Sequence, residues 1–216
     1  MFPKFAKLGV WRCLGNVDEV NSPRSFFVAC GDDDDENEKL QLVTVELSNE
    51  NLTADGYFDG LLYYQITSNS PKQAMVKKTV EGCQMVKVPD RIKINEEIFV
   101  VNAIGKAAFE DCKSLVSVEI SNSITEIGSS AFAYCTGLTS IEIPNSVTSI
   151  GDGAFWGCTG LIEVHCSWDN PPSLSSSYSY FDSNTYNNGK LYVPQGTIEA
   201  YKSAYPWNKF KNKVEE

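Results

Sequence analysis

Seven cysteines, one histidine and a serine-rich stretch are the parts of this 216-residue chain with side chains suited to catalysis or metal binding. A zinc site needs Cys and His side chains that converge on one point, and the only histidine, His165, sits beside Cys166. Neighbours on a strand point to opposite faces, so this pair cannot share a metal, and neither a metal nor any other cofactor is expected. The serine-rich stretch 173–179 lacks a nucleophile elbow, and no motif places His165 beside a nucleophile. A glycine-rich phosphate loop is also missing. No catalytic residue can be assigned, and the expectation is a chain that is not an enzyme.

The elements that must position these residues follow from a repeat. Cys112, Cys135 and Cys158 stand 23 residues apart, as do Ile104, Ile127 and Ile150, then Phe109, Phe132 and Phe155, then Leu115, Leu138 and Leu161. A period in this range marks an architecture of stacked units. In one copy, Ser140-Ile141-Glu142-Ile143 alternates as a strand with one buried face. Pro144, which has no N–H to donate, ends that strand in turn chemistry. The stretch 147–150 reads as a second short strand across the coil, and 151–158 as a tight, 3₁₀-like corner. Coils stacked about 4.8 Å apart align like residues into columns, giving a core that no single copy could bury. Cysteines so stacked are within disulfide reach, but parallel in-register side chains do not suit the bond. A column of buried thiols is expected instead.

The segment Ile127-Gly128-Ser129-Ser130-Ala131-Phe132-Ala133-Tyr134-Cys135-Thr136-Gly137-Leu138-Thr139-Ser140-Ile141-Glu142-Ile143-Pro144, with its equivalents one period either side, resembles the BspA-like leucine-rich repeats of Bacteroidetes-type surface proteins. The resemblance implies a mainly β leucine-rich-repeat solenoid with 23-residue coils, a degenerate N-terminal β cap and a short C-terminal helical cap. It also implies a non-catalytic binding module on the cell surface or secreted, adhering to proteins or glycans. One departure stands out: the position usually given to an Asn ladder holds Ser123, Ser146 and Asp169.

The chain divides into four stretches. Residues 1–56 carry eleven acidic and five basic side chains, with an acidic run at 32–36, and are expected to be disordered. Within them Phe26-Phe27-Val28-Ala29-Cys30-Gly31 resembles the lipobox end of a lipoprotein signal, which makes Cys30 a candidate lipid anchor. Upstream, Asp18, Glu19, Asn21, Pro23 and Arg24 interrupt the apolar region such a signal needs. An unprocessed N-terminus would favour the alternative, a cytoplasmic protein–protein interaction scaffold. Residues 57–103 read as the N-terminal cap, where Val88-Pro89-Asp90-Arg91-Ile92 echoes the repeat corner. Nine extra residues then predict a hairpin over 94–101. Residues 104–174 hold the repeats, and 175–216 a loop and closing module. In that module 197–205 reads as a short helix, and Trp207 and Phe210 cover the last coil.

A formal net charge of −10 and a pI near 4.7 argue against nucleic acid as a partner. No apolar run is long enough for a transmembrane helix. The expected chain is a monomer, extracellular or tethered at the outer membrane surface. Two regions are candidates for ligand binding. One is the outward face of the main sheet, with columns Ser117, Ser140, Glu163 and Glu119, Glu142, His165, which reads equally as a merely solvated face. The other is the loop carrying Tyr178, Tyr180 and Tyr186, of the composition that suits contact surfaces, which reads equally as a disordered insertion.

Overall fold

The computed structural model describes residues 44–174 and 179–216. Each 23-residue copy is one coil, and its columns run through the core as the period requires. Ile104, Ile127 and Ile150 are buried, as are Leu115, Leu138 and Leu161. The rings of Phe109, Phe132 and Phe155 stack with centroids 4.9 and 5.4 Å apart and planes within 5°. Each such pair adds about 0.5–1.5 kcal/mol beyond its buried area. A fourth ring, Phe181, extends the stack at 5.0 Å from Phe155.

One side of each coil is a short parallel strand. Met85–Lys87 pairs with Ser117–Glu119, and Ser140–Ile143, Glu163–Cys166, Lys190–Val193 and Asn212–Glu215 form a second ladder in chain order. These six strands are called the main sheet below. Their buried positions are the alternate ones, Val118, Ile141, Val164 and Leu191 among them. Across the coil, Glu97–Ile104, Glu126–Ile127 and Ser149–Ile150 pair in parallel, with Ala103, Glu126 and Ser149 in register. The expected second strand is thus present at 149–150.

The corners explain the glycines of the repeat. The Gly128 N–H donates to the Ile104 carbonyl at 2.7 Å, and the Gly151 N–H to that of Ile127 at 2.7 Å. This contact brings backbone against backbone. A Cβ on Gly128 would lie 2.6 Å from the Lys106 nitrogen, so only glycine fits. Bonds from residue i+3 to residue i, such as Ala131 N–H to Gly128 O at 3.2 Å and Leu138 N–H to Cys135 O at 3.1 Å, tighten the corner as the 3₁₀-like reading requires.

The N-terminal cap is a twisted set of hairpins. Leu62–Asn69 pairs antiparallel with Lys72–Thr79, and Lys72–Thr79 then pairs in parallel with Glu97–Ile104, which joins cap to coils. A hairpin is present in the insertion but begins earlier than the expected 94–101, pairing Arg91–Ile94 with the start of Glu97–Ile104. Asn95 and Glu96 turn it with φ of 46° and 68°, the left-handed pair that two-residue hairpins demand. The N-terminal boundary differs from expectation. Thr44–Leu47 forms a strand parallel to Arg91–Ile94 and buries Leu47, so the cap begins by residue 44 rather than 57. The acidic run and Cys30 lie outside the described residues.

The closing module packs aromatic rings onto the last coil. Phe210 meets Phe181 edge-on at 5.2 Å, and Trp207 is fully buried with its indole N–H donating to the Pro172 carbonyl at 2.9 Å. The expected helix spans Ile198–Ser203, and Tyr201 on its inner face donates to the Trp168 carbonyl at 2.8 Å. A second helix, Ser183–Asn188, starts at Asp182, whose carboxylate accepts the Asn184 N–H at 2.8 Å. The strand Asn212–Glu215 has no counterpart among the expected elements.

Candidate functional site

On the main sheet, outward residues meet in register within each of its two ladders. Ser140 faces Glu163, which faces Lys190; Glu142 faces His165, which faces Tyr192; and Ser117 and Glu119 face Met85 and Lys87. Alternation places them outward because Val118, Ile141 and Val164 between them are buried.

Their partners differ. The Glu119 carboxylate holds the Lys87 ammonium at 2.6 Å, with both side chains partly in water. Such a surface pair contributes about 0–1 kcal/mol and mainly fixes orientation. His165 is more enclosed than a bare strand residue: its ring stacks on Tyr192 at 4.3 Å with planes 4° apart. Its Nδ1 lies 2.9 Å from Glu216 Oε1. Glu142 is exposed, and Ser117, Ser140 and Glu163 are half-buried. The surface is therefore a stiff strip of hydroxyls, carboxylates and one stacked His–Tyr pair. Lys87, Lys190, Tyr192 and Glu216 belong to it but are not among the residues singled out in the sequence. Extending the columns past the irregular step after Cys166 would have added Lys190 and Tyr192; Glu216 carries no sequence signal.

The aromatic-loop candidate is corrected. Tyr180 is 2% exposed and Tyr186 7%. Phe181 between them enters the phenylalanine column, with the Phe155 N–H donating to the Tyr180 carbonyl at 2.8 Å, and this draws its neighbours inside. Tyr186 lies edge-on to Phe181 and Phe210, with the Lys209 ammonium 5.2 Å from its ring centre. Burial pushes its hydroxyl up to about 12. These two tyrosines are core residues of the closing module and offer no contact surface. Tyr178 lies outside the described residues.

The cysteines line the interior. Cys135 and Cys158 are fully buried and Cys112 half-buried, all as free thiols. The Cys135 thiol donates to the Phe109 carbonyl at 3.0 Å, and the Cys158 thiol to the Phe132 carbonyl at 2.9 Å. Burial pushes the Cys112 thiol up to about 12, and the contact with Cys158 together with burial raises Cys135 further. These groups are poor nucleophiles and poor ligands at neutral pH. At the position of the usual Asn ladder, the Ser123 hydroxyl donates to the Val101 carbonyl at 2.7 Å, while the buried Ser146 hydroxyl has no partner. Among the described residues, no three His, Cys, Asp or Glu side chains gather as a metal site would require.

Coils of 23 residues, stacked strand on strand with closed ends and an open polar sheet face, define a leucine-rich-repeat solenoid. The chain belongs to the family of the BspA type leucine-rich repeat region, whose model matches residues 82–210 in six copies. Three copies of the 23-residue period are plain in the sequence. Among solved structures, the chain is similar to a leucine-rich cell surface protein from Faecalibacterium prausnitzii at 21% identity and a TM-score of 0.49. That match covers 66% of this chain and 45% of the other. It is also similar to a leucine-rich repeat protein from Bacteroides capillosus at 23% identity, TM-score 0.41, covering 52% of this chain and 98% of that one. A leucine-rich repeat protein from Bacteroides ovatus matches at 16% identity, TM-score 0.37, over 64% of this chain and 59% of the other. The chain thus spans less than half the length of the first of these. No curated protein matches the chain. Repeat domains of this class are generally non-catalytic interaction modules, and among the described residues no helix is long and apolar enough to cross a membrane.

Proposed function

We propose that the chain is a binding module of a bacterial cell-surface or secreted protein, and that it adheres to a protein or glycan through the outward face of the main sheet. The observation that carries this reading is the register of that face. Ser140, Glu163 and Lys190 form one column and Glu142, His165 and Tyr192 the next, held on strands whose other faces are buried. Polar groups at fixed spacing on a rigid scaffold can meet a partner with little ordering cost. The face is short, so each chain binds weakly and depends on several copies acting together. A lipid anchor at Cys30 is part of the proposal and rests on the motif around it.

The test is protease accessibility on intact native cells, with mass spectrometry of the recovered N-terminal peptide. Cleavage of the repeats and a mature chain beginning at acylated Cys30 would support it. Full protection inside the cell would overturn it in favour of an intracellular scaffold.

A further inference from the structure

Tyr134 and Trp156 stand 45% and 42% exposed, and no other aromatic among the described residues is so open. They sit on a corner, away from the main-sheet strands, and are joined by a backbone bond from the Tyr134 N–H to the Trp156 carbonyl at 2.8 Å. The chain sustains this exposure at a cost. Tyr134 has φ of 61°, a conformation that disfavours bulky residues, and its equivalent one coil later is Gly157 at 73°. The tyrosine ring rests on that glycine: a Cβ there would come within 2.5 Å of Tyr134 Cδ1. The result is an open tyrosine ring fixed to the next coil, joined through the backbone to the residue that carries the open indole.

Along the sequence the charge from the coil of Tyr134 up to Lys190 has one sign, and Lys113 borders the corner from the coil before. No Lys or Arg occurs between Lys113 and Lys190, while seven acidic residues do, from Glu119 to Asp182. In the columns of the two rings lie Glu110, Asp111 and Asp182. Asp111 holds Lys113 loosely, at 3.5 Å with both side chains about two-thirds in water. Carboxylates flanking two open rings complement a cation, because ring faces and carboxylates both attract positive charge. A planar guanidinium gains stacking that an ammonium does not.

We propose that the Tyr134–Trp156 corner receives an arginine-bearing segment of a partner protein, as a second contact surface distinct from the main sheet. The test uses the full chain with three probes: a peptide of four Gly-Arg repeats, its Gly-Lys counterpart and a neutral oligomer of N-acetylglucosamine. Affinity is measured alongside acrylamide quenching of tryptophan fluorescence, with Trp156→Phe assigning the Trp156 component. The arginine peptide should bind at least threefold tighter than the lysine peptide and shield Trp156. Trp156→Ser should weaken it roughly fivefold, and Tyr134→Ser with Trp156→Ser roughly tenfold or more. Neither change alters charge. Equal binding by the parent and Trp156→Ser would show attraction to net charge alone and overturn the proposal. Equal affinity for the two peptides would also overturn it, as would shielding by the sugar but not by the arginine peptide. Trp156→Ser keeps the test valid if Tyr134→Ser fails to fold.

Discussion

The Sγ of Cys158 lies 2.9 Å from the carbonyl oxygen of Phe132 in the previous coil, and Cys135 repeats that contact with Phe109 at 3.0 Å. A thiol therefore supplies a side-chain-to-backbone bond between coils, while the usual Asn position is left to Ser123, Ser146 and Asp169. In the native chain Cys135 and Cys158 should resist alkylation by N-ethylmaleimide at pH 8, and both should react in urea. Peptide mass spectrometry after a timed pulse checks this. Rapid native labelling of Cys135 would contradict the buried column.

The same column predicts a pH dependence. The Cys112 thiol is pushed up by burial from 9.0 to about 12. A folded-state value raised above the unfolded one favours folding while the thiol is protonated. That contribution is complete below about pH 9 and lost as pH rises through about 12. The urea midpoint should fall between pH 9 and 11 by more in the parent than in Cys112→Ala, which lacks the group. Parallel curves would contradict the shift.

Backbone contact between coils makes a paired prediction at neighbouring positions. Gly128→Ala places a Cβ 2.6 Å from the Lys106 nitrogen and should cost about 2 kcal/mol or more in urea unfolding. Ser130→Gly should stabilise by up to about 1 kcal/mol, because Ser130 has φ of 56° and the equivalent residue, Gly153, is already glycine. Loss of stability in both would show that the corner does not have the described shape.

How much was legible in the sequence follows from where the period holds. Ile127, Phe132, Cys135 and Leu138 announced their places because each recurs at a fixed step and each faces the core. Phe181 did not, since it comes 26 rather than 23 residues after Phe155, behind an insertion rich in Ser and Tyr. The missed step made Tyr180 and Tyr186 look like an open loop when they flank a core ring. The strand Asn212–Glu215 was hidden for another reason. Its residues Asn, Lys, Val and Glu lack alternating hydrophobicity, because its pairing rests on backbone bonds to Lys190–Val193 at the end of the stack. Thr44–Leu47 was masked by the acidic stretch before it, with only Val45 and Leu47 to mark it as a strand. In the candidate site the alternation placed Glu142 and His165 outward correctly, but nothing local foretold that His165 would stack on Tyr192.

The ring stack should govern stability more than any surface residue. Phe132→Ala removes the ring between Phe109 and Phe155 and should cost about 3–5 kcal/mol. Trp156→Ser, on the exposed corner, should cost about 0.5 kcal/mol or less. Thermal unfolding of the two variants beside the parent checks the contrast, and similar losses would contradict it.

The central claim, that the outward face of the main sheet binds, is tested most directly by changing that face alone. Beads coated with the chain would be applied to immobilised host matrix proteins and to a glycan array. Ser140→Arg with Glu142→Arg should lower retention at least tenfold, equivalent to about 1.4 kcal/mol, while circular dichroism and thermal midpoint stay unchanged. Retention equal to the parent's, with the fold intact, would contradict the claim.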